Sequence, residues 1–126
     1  MPWSVSVDRS LGVITTVYSG TLSRAELAEA VGATVAACAE YQFHLLLADC
    51  SRLEGGHSVL DLYDTAVAVV GSAHGVPLRE AVLVPASARA AESVAFWETT
   101  ATNRGLQVSL FHDVDSAMAW LTSAPR

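Results

Sequence analysis

Lysine is missing from the whole chain. All seven basic residues are arginines, set against 13 acidic ones, for a formal net charge of −6 over 126 residues. No basic stripe exists, so nothing would draw the chain to a phosphate backbone. An anionic membrane surface would repel it for the same reason. Cysteine is almost as scarce. Cys38 and Cys50 make no Cys-x-x-Cys pair, and no histidine joins them at zinc spacing, so two reduced thiols packed as small hydrophobes are expected. Long apolar runs are absent too, and none reaches the ~20 residues that a membrane span needs. The opening stretch, "MPWSVSVDRS", has neither the basic nor the apolar segment of a signal peptide. A cytoplasmic location is the expectation.

What is present is apolar. Hydrophobic residues make up 52% of the chain and charged ones 16%, which excludes disorder. The length is that of one domain, residues 1–126, with enough chain to bury a core. Trp3, Val5 and Val7 alternate with Ser4 and Ser6, the pattern of a half-buried strand. Asp8 to Gly12 is a turn, and "VITTVYS" is a second strand, so the two should form an antiparallel hairpin. The next run, Thr21 to Tyr41, is helical. Ser23 and Glu26 make a capping box, and Leu27, Val31, Val35 and Cys38 should face the sheet. Gly32 costs that helix about 1 kcal/mol relative to alanine, and a close approach to the sheet is one reason to keep it.

"HLLLADC" is apolar on both faces around Leu45–Leu47, so it belongs mid-sheet and should end near Cys50. A second helix should open at Ser58 and run through "SVLDLYDTAVAVVGSA". "AVLV" is another buried strand. A third helix runs from Ser87 to a stop at Gly105. "QVSLF" is the last strand, and Asp113 or Asp115 caps a short closing helix, "SAMAWLT". The fold expected is α/β, a mixed sheet of about five strands with four helices. An N-terminal antiparallel hairpin is followed by parallel strands joined by right-handed crossovers. If neighbours in sequence are neighbours in the sheet, those crossovers fall on one side. The far face of the apolar middle strands must then be covered by a helix or by a partner chain.

Two stretches resemble a known family. "FWETTATNRGLQVSLFHDVDSAMAWL" looks like the closing pattern of the SpoIIAA-like proteins, which are related to STAS and SEC14 domains, and "LLLADCSRL" looks like their central strand. The resemblance implies a SpoIIAA-like βα superhelix. It also implies either a protein-binding regulatory role, switched in the better known relatives by a phosphoserine, or a lipid-carrying one. The serine of the switch proteins opens the second helix in an Asp-Ser-Ser-Gly-like motif. Ser58, in "GGHSVL", holds that place, without the aspartate or the paired serine.

The residues themselves give no reaction. Asp49, Ser51 and His57 are close in sequence, but no G-x-S-x-G elbow is present, and no catalytic residue is assigned. His57 and His112 follow strands near Asp49 and Asp113, yet no paired metal motif supports a metal, and no cofactor is implied. The candidate binding surface is the loop Asp49 to Ser58, with Asp49, Ser51, Arg52, His57 and Ser58, and the exposed side of the second helix, with Asp61 and Asp64. Asp49 has two readings, a ligand-facing group beyond a parallel strand or the acceptor of its own Asx-turn. One of Phe96 and Trp97 must point away from the sheet. Tyr63, Phe96 and Trp97 would wall a pocket if the ligand were a small apolar or lipid-like molecule. The leading expectation is a non-catalytic domain that binds a protein partner as a homodimer, with Ser58 as a possible phosphorylation site.

Overall fold

A computed structural model describes residues 2–55 and 78–123. The described elements run β1 (Trp3–Asp8), β2 (Val13–Thr21), α1 (Arg24–Tyr41), β3 (Leu45–Gly55), β4 (Arg79–Leu83), α2 (Ala88–Asn103), β5 (Gln107–Phe111) and α3 (Val114–Thr122). The strands lie side by side in chain order, β1-β2-β3-β4-β5. β1 is antiparallel to β2, and every later pair is parallel. Leu45–Leu47 therefore sit in the middle strand, as their two-sided apolarity requires. Three of the four expected helices are among the described residues. The one expected to open at Ser58 lies outside them.

Local chemistry sets the element ends. Asp8 Oδ1 accepts from the Ser10 amide at 3.0 Å, the Ser10 hydroxyl at 2.7 Å and the Leu11 amide at 3.1 Å, which shapes the hairpin turn. The Ser10 hydroxyl and then the Leu11 amide hold its carboxyl below the ordinary range. The capping box of α1 is complete, with Glu26 N–H donating to Ser23 Oγ at 3.1 Å and Ser23 N–H to Glu26 Oε1 at 2.8 Å. Ser87 caps α2 through the Ala90 amide. Asp113, not Asp115, caps α3, which begins at Val114, two residues before the expected start. Gly105, at φ +96°, turns the chain out of α2.

The two faces of the sheet carry separate cores. On one face Ile14, Leu46, Ala48, Cys50, Leu53, Val82 and Val108 pack with Ala90, Val94 and Ala101 of α2, and Val31, Val35 and Cys38 of α1 close over them. On the other, Val13, Leu47, Ala81 and Leu83 pack with Ala117 and Leu121 of α3. The closing helix is thus the cover that the middle strands need on their second face. It is fixed by Arg79, whose guanidinium stacks 3.9 Å from the centre of the Trp120 ring and donates to the Trp120 carbonyl at 2.7 Å. Gly32 gives a different result from the one expected. It is exposed, and nothing described lies within 4 Å of where its Cβ would be, so it does not serve a close approach.

Candidate functional site

The strand expected to end near Cys50 continues to Gly55. Strict alternation from Leu46 through Ala48 and Cys50 would next turn Arg52 and Glu54 into the core. The chain avoids this with a bulge. Val17 pairs with Asp49 and Ser19 with Arg52, so Cys50 and Ser51 together oppose Tyr18 alone. One residue is gained, the alternation is reset, and Leu53 enters the core at 5% exposure while Ser51, Arg52 and Glu54 stay outside. A second irregularity before Gly55 brings that residue opposite Thr21.

Asp49 holds the bulge. Its Oδ1 accepts from the Ser51 amide at 3.0 Å and from the Ser51 hydroxyl at 2.6 Å. The Asx-turn reading of Asp49 is therefore the one observed, and the stretch from Asp49 to Gly55 is a corrected strand, not a loop. β4 ends at Leu83, opposite Asp49, so the last residues of β3 run on beyond it with β2 as their one neighbouring strand among the described residues. The start of α2 meets this overhang. Ser87 Oγ lies 3.5 Å from the Glu54 carbonyl, and the Arg89 side chain lies 3.6 Å from the Cβ position of Gly55. Ser51 and Arg52 thus form an exposed rim at the carboxyl end of the central strand, where parallel α/β sheets gather ligands.

The other expected site residues fall elsewhere. His57, Ser58, Asp61 and Tyr63 lie outside the described residues, as does Asp64. Trp97 packs against the α1–α2 core and donates its indole N–H to Glu80 Oε1 at 2.7 Å. It points toward the sheet. Phe96 beside it is half-buried and belongs to neither core. Among the described residues no group of three or more His, Cys, Asp or Glu is gathered as metal ligands. Nor is any helix there long and apolar enough to cross a membrane.

The sequence reading missed Glu80. It is half-buried under α1 and α2, with Tyr18, Cys50 and Cys38 close enough to interact electrostatically. Desolvation raises its pKa to about 7, against a smaller opposing effect of the Trp97 hydrogen bond. Burial likewise pushes the Tyr18 phenol and the Cys50 thiol up, and the Cys38 thiol to about 11, so both thiols stay protonated and poorly nucleophilic at neutral pH. One signal was available, an Arg-Glu pair directly before an apolar strand. Extending that strand by two residues places Arg79 and Glu80 on opposite faces of the sheet.

No protein-family model matches the chain, and no curated protein does. Among solved structures it is similar to an uncharacterised protein of the DUF3478 family, with a SpoIIAA-like fold, from Shewanella loihica PV-4. The two share 20% identity at a TM-score of 0.60, over 94% of this chain and 93% of that one. The chain therefore has a SpoIIAA-like α/β fold.

Proposed function

We propose that the protein is a non-catalytic, regulatory protein-interaction domain of the SpoIIAA-like type, cytoplasmic and homodimeric, that docks a partner on the rim after Asp49. The observation that carries this reading is the Asp49–Ser51 bulge, which turns Ser51 and Arg52 outward at the end of the central strand. Asp49 is then a positioning residue. Ser51 and Arg52 make contact, and His57, Ser58 and Asp61, which lie outside the described residues, are the further candidates for it. By resemblance to the switch proteins, Ser58 is the candidate for a regulatory phosphate, whose charge a helix opening there would favour.

Charge reversal tests it. Arg52→Glu is expected to keep the wild-type fold by circular dichroism and to lose the partner captured by the wild-type chain. Ser58→Asp should weaken the same capture. Undiminished capture by Arg52→Glu removes the rim from the account. The other reading, a small apolar or lipid-like ligand held between helices and sheet, draws on Tyr63, Phe96 and Trp97. Trp97 is already engaged by Glu80, so a ligand there must compete with that bond. Native mass spectrometry separates the two readings, because a carried lipid appears as added mass.

A further inference from the structure

Among the described residues β1 is an outer strand of the sheet with no strand on its outward edge, and that edge has an unusual pattern. Outer strands are normally blunted by lysine, proline, a bulge or an inward-pointing charge. Trp3 to Val7 carries none of these. Pro2 stands just before the stretch and Asp8 just after it.

The direction of its backbone groups follows from one hydrogen bond. The Ser19 amide donates to the Pro2 carbonyl at 2.8 Å, and the register Trp3↔Tyr18 continues to place Pro2 opposite Ser19. Hydrogen-bonded pairs alternate along an antiparallel ladder. Ser4, Ser6 and Asp8 therefore turn their N–H and C=O groups toward β2, and Trp3, Val5 and Val7 turn theirs outward.

We propose that this edge pairs antiparallel with the same edge of a second copy of the chain, about a two-fold axis through Val5. That register sets Val5 opposite Val5, and Trp3 opposite Val7 of the second copy. It uses all three outward residues as hydrogen-bonded pairs, about six bonds in all. Side chains match as well. Trp3, Val5 and Val7 share the face that α1 and α2 cover, and Ser4 and Ser6 share the other. The axis stands perpendicular to the sheet, so apolar meets apolar and serine meets serine. Asp8 falls opposite Pro2 of the second copy, which keeps the two Asp8 carboxylates about 20 Å apart along the strands. Two five-stranded sheets become one continuous sheet, and the α1 helices, which pack on β1 and β2, come alongside one another. The inference rests on the homodimer of the proposed function and is independent of the β3 rim, so its failure leaves the rim untouched.

Sedimentation of the full chain tests it. The wild type is expected to run at the mass of two chains, more completely at high salt, since each copy carries a net charge of −6. Val5→Pro removes an outward amide and leaves the β2 ladder whole, so it should run as one chain with a wild-type circular dichroism spectrum. If that variant fails to fold, Val5→Cys decides. Hydrogen-bonded partners lie about 5.5 Å apart at Cα, within disulfide range, so mild oxidation should link two chains where wild type gives no link. A wild type that runs as one chain at high concentration, a folded Val5→Pro that still runs as two, or a Val5→Cys that does not cross-link overturns the proposal.

Discussion

Glu80 has a neutral hydrogen-bond partner, the Trp97 indole, in a setting of Tyr18 and two thiols. Its folded pKa of about 7 exceeds the ordinary 4.5. The folded state therefore holds the proton that the unfolded chain releases, and stability falls as pH rises from about 4.5 to 7. Below that window both states are protonated and nothing is lost. Above it the whole cost is present, about 3 kcal/mol at 1.36 kcal/mol per unit. Glu80→Gln should gain most of this at pH 8 and little at pH 4, as read by urea denaturation at both values. An equal effect at both pH values would show that the carboxyl does not titrate in this window. Thr34 makes a second residue-scale case. Its hydroxyl donates to the Ala30 carbonyl at 2.8 Å and lies 2.6 Å from the Thr16 hydroxyl, which must then be the donor between the two. Thr34→Val strands the Thr16 hydroxyl, buried at 2% exposure, and should cost about 1–3 kcal/mol in the same assay.

At the scale of elements, the bulge in β3 and the glycine in α1 make opposite predictions. Asp49→Ala removes the oxygen that accepts both Ser51 hydrogen bonds and should cost about 1–2 kcal/mol. Its signature is faster amide exchange from Ser51 to Gly55, with Leu45–Leu47 unchanged. Gly32→Ala should stabilise the protein by about 1 kcal/mol, because the position is helical, exposed and open. Caps, apolar runs and the hairpin were legible because each is local. Ser23 with Glu26, Ser87, and the alternation of Trp3 to Val7 announce themselves within a few residues. The extension of β3 was not legible. Ser51 and Arg52 look like a strand's end, and only pairing with β2, more than thirty residues earlier, keeps them in register. Glu80 was hidden for the same reason, since a half-buried carboxylate is explained by Trp97 of another element.

At the scale of the whole molecule, among the described residues α1 and α2 cover one face of the sheet and α3 the other. Arg79 ties that last helix to the sheet. Besides the Trp120 ring and carbonyl, it donates to Gln107 Oε1 at 3.2 Å and to Ser123 Oγ at 3.3 Å. Its Nε is buried without a hydrogen-bond partner among the described residues, which offsets part of the gain. Arg79→Ala should still cost about 2 kcal/mol, with exchange rising first in Val114–Thr122. A protein covered this way on both faces leaves its strand ends and outer edges for recognition, and the overhang of β3 is the strand end described above. A photo-activated cross-linking residue in place of Arg52, expressed in cells, tests that assignment most directly. The account expects a discrete protein adduct from Arg52 and none from the same group at Thr99, an exposed position toward the other end of α2. Equal labelling from both positions, or adducts from Thr99 alone, would contradict it.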